Sequence, residues 1–260
     1  LQELRAGQLI ATALFDWLII AVCWLVLSGN HYLLVEICAI VVIAGRFVAL
    51  GSVLHDACHR RLGCEKTFRW WLVEGLAGWP ISSTTAAMRY HHLRHHRWVG
   101  TALDPYRSPS IFGSKLKQPW LTLRGLLLPI AWTLRPIVGI CSLIFPSLKL
   151  TYAKVFLHFI VLIVVLVYSL PFVTHVLIPL LIAGMLNAYR LSVEHKDSEE
   201  IKGSVKISDH TVSHQAGWLA RLIIYPHNLG CHVAHHKHPT VAYSHLPEIE
   251  ARLSLHDNYS

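Results

Sequence analysis

Apolar residues run almost unbroken through four stretches of the chain. The first is 8–28 (QLIATALFDWLIIAVCWLVLS), and a second, 32–54, follows after the link Gly29-Asn30-His31. The third, 153–170, meets Pro171, and a fourth continues over 172–190. Each is close to the ~20 residues that a helix rising 1.5 Å per residue needs to cross the hydrocarbon of a bilayer. Only a helix or a closed barrel satisfies its own backbone there. The pattern therefore predicts two transmembrane hairpins, turning at 29–31 and at Ser169-Leu170-Pro171.

Polar residues concentrate in 55–152 and 191–260. Within the first of these, 121–148 is apolar but interrupted by Arg124, Pro129, Arg135, Pro136 and Pro146. A charge at the bilayer centre costs about 2.5–3.5 kcal/mol on insertion scales, so this stretch is expected to lie at the interface. Parity supports that reading, because four crossings leave 55–152 and 191–260 on one side. The run from Trp70 to Pro80 is too short to cross and carries three tryptophans. It reads as an interfacial anchor, with the wall of a lipid-facing channel as the alternative.

Composition agrees: the 260 residues are 53% hydrophobic and 15% charged, against roughly 25% charged in ordinary soluble domains. No lysine or arginine falls in 29–31 or 169–175. All except Arg5 and Arg46 lie between His55 and Lys154 or after Tyr189. The positive-inside rule then places both polar regions on the cytoplasmic face, of a bacterial inner membrane in preference to the endoplasmic reticulum. The net charge of +8 suits anionic headgroups and acidic partners, and no nucleic-acid-binding module is present. The six cysteines include no Cys-x-x-Cys pair and read as reduced. The first apolar run reads as an anchor and not as a cleaved signal. With no repeat and no low-complexity linker, the expectation is a single domain over 1–260: an all-α integral membrane protein, four transmembrane helices in two hairpins, with a cytoplasmic helical cap.

Candidate chemistry sits in that cap. Three histidine clusters, His55-x-x-x-His59, His92-x-x-His95-His96 and His232-x-x-His235-His236, have spacings of three and four, which share a helix face. Eight imidazoles are too many for one four-coordinate zinc, and imidazole-rich open sites suit iron, so the arithmetic favours two metals. His91, His95 and His96 also fit one face. The repeated i, i+3, i+4 pattern favours His92, but spacing leaves His91 open. Metal-bound imidazoles usually donate their second nitrogen to a carboxylate or carbonyl, and Asp56, Asp104 and Glu194 are placed to accept. For each the plain alternative is a solvated charge or a helix cap.

This arrangement resembles the membrane fatty acid desaturase and hydroxylase superfamily, closest to acyl-lipid desaturases. RYHHLRHHRWVGTALDPY is similar to the superfamily's second box with its trailing Asp-Pro. WLARLIIYPHNLGCHVAHHKHPTVAYSHLPEIEARL is similar to the acyl-lipid ending, in which Pro-His-Asn leads into the third box. The resemblance implies a non-haem di-iron centre with O2 as co-substrate. It adds His195 as a further ligand and Asn228 as a possible ligand or supporting residue. By spacing, Asn228 precedes His232 by one helical turn and could offer its amide oxygen directly or through water, with an N-cap as the alternative.

The implied reaction removes hydrogen from an unactivated carbon of an acyl chain that enters from the bilayer. Desaturation leads; a hydroxylase, a carotenoid ketolase and a fatty acid decarboxylase share the same boxes. The chain has no flavin fingerprint, rubredoxin-like pair or fused haem segment, so electrons must come from a separate donor, a ferredoxin or a b-type cytochrome with its reductase. That donor is expected at Arg60, Arg61, Arg94 and Arg97, with headgroup contact as the alternative role for these arginines. A metal transporter or metal-binding membrane protein is the reading from another class. It would place ligands at mid-membrane depth, whereas Asp16, Glu36 and Arg46, the charges inside the runs, do not form a ligand set.

Overall fold

The computed structural model describes residues 6–29, 32–59, 67–81, 83–101, 103–106, 170–195 and 210–257. These are helical, with one isolated antiparallel bridge between His195 and Thr211 and no strand among the described residues. Helix α1 spans Ala6–Leu27 and α2 spans Leu33–His59, joined by a short link and packed as a hairpin. A short helix α3 (Phe68–Val73) continues through a π-turn (Glu74–Gly78) and a 3-10 turn (Trp79–Ile81). Helix α4 is Thr85–Trp98, and α5, Ile178–Glu194, follows a π-turn at Val173–Leu177. Three further helices are α6 (Trp218–Ile223), α7 (His232–Lys237) and α8 (Leu246–Asp257), with a helical turn at Leu170–Phe172 and 3-10 turns at Pro226–Asn228 and Tyr243–His245.

Three helical segments are long and apolar enough to cross a membrane: Ala6–Leu27, Leu33–His59 and Val173–Glu194. They match the first, second and fourth expected spans. The expected span 153–170 and the interrupted stretch 121–148 lie outside the described residues. Leu14, Phe15, Leu18, Val22 and Leu25 of α1 are exposed, as a lipid-facing stripe requires.

Helix α2 is the hub, touching α1, α4, α5 and α6. Its N-terminal part is largely exposed, but from Ile43 to His59 nearly every residue is buried. The core joins Leu9, Ala13 and Ile20 of α1 to Ile43, Phe47, Leu50, Val53 and Leu54 of α2. Val73, Ala77 and Ile81 pack into it, so the tryptophan-rich segment is inserted against the hairpin, and Trp17 Nε1 donates to the Leu76 carbonyl at 2.8 Å. Pro179 cannot donate to the carbonyl four residues back, that of His175, which accepts from Trp24 Nε1 at 2.8 Å.

Candidate metal centre

Helix α4 is fixed at its N-terminus by two caps. Thr84, in extended backbone, accepts from the Ala87 N–H at 3.1 Å, and the buried Glu74 carboxylate accepts from the Thr85 N–H at 2.8 Å. The carboxylate also opposes the positive end of the helix. The other end stops at Gly100, whose φ of 77° is left-handed and whose α-carbon lies against the His210 ring, where a Cβ would collide. Helix α7 has no cap of its own. Ser213 Oγ accepts from the Val233 N–H at 2.8 Å and Glu250 Oε2 from the Ala234 N–H at 3.0 Å, so partners distant in sequence satisfy a six-residue helix.

These helices converge their imidazoles into two groups. His55 and His59 of α2, His92 and His96 of α4, and His235 of α7 form the first; His95, His195 and His236 form the second, the ring nitrogens of each group lying within 4.8 Å of one another. His232 joins the second group, its Nε2 being 3.0 Å from that of His195. Both α4 and α7 therefore serve both groups, because residues three and four apart diverge slightly around the helix.

The donor chemistry fits metal ions. The Nε2 atoms of His55 and His92 are 2.7 Å apart, those of His92 and His96 2.8 Å, and those of His96 and His235 3.0 Å. Two nitrogens held at right angles about 2.05 Å from one ion stand about 2.9 Å apart. His195 Nδ1 donates to the Leu191 carbonyl at 3.1 Å, which leaves the lone pair on Nε2 facing His232. His95 Nε2 and both ring nitrogens of His236 are buried without a hydrogen-bond partner. An orphaned, buried imidazole nitrogen is costly unless something binds it. Burial, and then the neighbouring imidazoles, hold His92, His232, His235 and His236 well below the usual histidine range; the same causes bring His96 down to about 2 and His195 to about 4. The rings are neutral at physiological pH, the form that ligates metal.

The expected supporting carboxylates differ in what they do. Asp104 receives His95 Nδ1 on both oxygens, at 2.8 and 3.0 Å, and also accepts from the Tyr106 N–H. Glu194 is fully buried and accepts two bonds from Arg190 at 2.9 and 3.0 Å, while His232 Nδ1 stands 3.7 Å away. Asp56 is buried on α2 between His55 and His59. His91 points outward, exposed beside Tyr90 and outside both groups, which decides the register for His92.

Asn228 lies in the 3-10 turn Pro226–Asn228 that precedes α7. The expectation of one helical turn to His232 fails because α7 begins only at His232, and residues 227 and 228 adopt left-handed backbone, φ 51° and 60°. The Asn228 amide nitrogen donates to the Tyr243 carbonyl at 3.1 Å, a bond that does not use its amide oxygen. Arg190, Glu74, Ser213, Glu250 and Tyr106 were not singled out in the sequence. Of these only Arg190 carried a local signal, its i, i+4 spacing to Glu194. Tyr106 stacks on His95 with ring centroids 4.6 Å apart, and burial pushes its phenol up to about 12.

With helix-borne histidines in this disposition, residues 30–256 match the fatty acid desaturase family. The chain belongs to that family. No curated protein and no solved structure matches it. Membership makes the chain a membrane protein and an oxidoreductase of desaturase type, and the two imidazole groups are the residues of this family member that could hold its metals.

Proposed function

We propose that this protein is a membrane-bound non-haem di-iron oxidase that uses O2 to desaturate a fatty acyl chain. The observation that carries the reading is the division of nine histidines into two groups built across the same two helices, α4 and α7. His55, His59, His92, His96 and His235 would hold one iron; His95, His195, His232 and His236 would hold the other. Iron so bound supplies the redox chemistry that removes hydrogen from an unactivated methylene.

The chain's own tasks are geometric and electrostatic. Asp104 fixes the tautomer and orientation of His95, the Leu191 carbonyl does the same for His195, and the Arg190–Glu194 pair stiffens the end of α5 beside His232. Burial excludes water from both groups, which protects a reactive site from side reactions. A small cavity bounded by His55, Asp56, Arg190, His232, His235 and Tyr243 adjoins donors of both groups and has room for about one water-sized molecule.

Electrons come from a separate acidic donor, a ferredoxin or a b-type cytochrome with its reductase. The outer face of α4 supports this: Tyr90, Arg94 and Arg97 are exposed, with Arg94 over the Tyr90 ring and Arg97 over that of Trp98. Arginine and aromatic residues together are enriched at protein interfaces. Arg60 and Arg61, the other expected docking residues, lie outside the described residues. The charge distribution favours the cytoplasmic face for this surface.

Expression in a heterologous host, followed by mass spectrometry of total lipids, hydrocarbons and pigments, tests the reading. A new double bond in acyl chains, absent with His95→Ala, is the expected result. A hydroxyl, ketone or terminal alkene would assign another oxidation by the same site, and unchanged lipids alongside metal transport would overturn the enzyme reading.

A further inference from the structure

Two charged residues lie in the middle of the spanning hairpin, away from the histidine groups. Asp16 of α1 is fully buried, and its Oδ1 accepts from Arg46 Nη1 of α2 at 3.0 Å. The other carboxylate oxygen accepts from His227 Nε2 at 2.9 Å, across 211 residues of sequence. Arg46 Nη2 donates to the Leu222 carbonyl near the end of α6. Beside it, the Leu222–Ile223 backbone lies directly on Gly45, where a Cβ would stand 2.7 Å from the Leu222 oxygen. Residues 218–228 are thus held against the middle of the α1–α2 hairpin by two polar contacts, Arg46 to the Leu222 carbonyl and His227 to Asp16, and by the close backbone approach at Gly45.

The depth of that contact follows from helix geometry. Gly45 is twelve residues past Leu33, the outer end of α2, or about 18 Å along the axis. A hydrocarbon core of about 30 Å that begins at Leu33 ends near Val53, so Gly45 lies about 12 Å inside it. Trp218 and Leu219, 78% and 52% exposed, then face lipid. Backbone at this depth needs internal partners for its helix-end carbonyls, and Arg46 supplies one. Polar side chains at this depth are costly and persist where they pair with one another.

The same segment runs directly into α7. His227 and Asn228, both left-handed, reverse the chain toward Cys231 and the third histidine cluster. Asn228 is bonded to Tyr243, whose hydroxyl lies 2.6 Å from Thr12 Oγ1 of α1, so both sides of the reversal are tied to the spanning helices.

We propose that Asp16, Arg46 and His227 form an intramembrane anchor that holds residues 218–228 inside the bilayer and so positions α7, the helix carrying His232, His235 and His236. They are positioning residues, and the metal half of the proposal rests on the two-iron reading. His227→Asn isolates the tether: asparagine keeps the left-handed backbone, leaves the Asp16–Arg46 pair intact and is too short to reach Asp16. His227→Gln restores a donor of similar reach.

The experiment uses the full chain in lipid nanodiscs. One readout is the rate of iron release to a chelator well below the unfolding temperature. The other is labelling of Trp218→Cys by a water-soluble maleimide, corrected for the same chain without the added cysteine. The anchor predicts that the introduced thiol is shielded with His227 present and labels readily with His227→Asn. It also predicts iron release about tenfold faster with His227→Asn, and near-native behaviour with His227→Gln. Ready labelling of the introduced thiol with His227 present, or labelling that His227→Asn leaves unchanged, overturns the anchor. Unchanged iron release in His227→Asn overturns its role in positioning α7. A native chain without iron defeats the metal reading and that positioning role together, while the labelling still decides the anchor.

Discussion

The Nε2 atoms of His96 and His235 lie 3.0 Å apart although 139 residues separate them in the chain. The first histidine belongs to α4 and the second to α7, and the neighbours of each, His95 and His236, meet in the other group. One helix pair thus contributes to both halves of the site. His235→Ala should empty mainly the first group and His236→Ala mainly the second, each lowering iron by at least half. His91→Ala should leave it unchanged. Iron per chain in the purified variants checks all three.

Asp104→Asn keeps the shape of the side chain but removes the charge that holds His95 Nδ1–H. Loss of such a partner typically costs 10–100-fold in metal affinity or activity. The expected outcome is a drop of that size in iron affinity with little change in folding. Iron titration beside thermal unfolding separates the two.

Thr84→Ala should destabilise the protein by about 1 kcal/mol through the lost cap on α4. Glu74→Ala removes a buried carboxylate that serves the same helix end and should cost at least as much. Denaturation midpoints of the two single variants and the double variant show whether the caps are coupled.

How much of this was legible in the sequence divides by range. Three of the expected spans were legible because uninterrupted hydrophobicity is a local property, and the clustering of the box histidines because spacings of three and four survive translation into any helix. The partition of nine histidines into two groups was not, since it depends on how α2, α4 and α7 are oriented. Local spacing misled at Asn228, where the chain leaves helical geometry before His232. In the sequence Asp16 and Arg46 read only as charges inside apolar runs that form no ligand set. Their meaning lies in a contact with His227 that no periodicity encodes.

The metal-free protein should lose stability as pH falls. His195 and His96 titrate in the folded chain at about 4 and about 2, below the ordinary 6.5 of an unfolded histidine. Between those values the unfolded chain binds more protons, so unfolding free energy decreases with falling pH. The loss begins near pH 6.5, completes for His195 near pH 4 at roughly 3 kcal/mol, and continues for His96 toward pH 2. Thermal unfolding across pH 7 to 4 checks it, and bound metal should shift the melting point upward throughout.

The most direct test of the account is the metal content of the whole chain, purified in detergent without added metal and loaded anaerobically with ferrous iron. Two groups of imidazoles predict about two irons per folded chain, both lost from a variant lacking His95 and His235. A single metal per chain, or zinc retained in preference to iron, would contradict it.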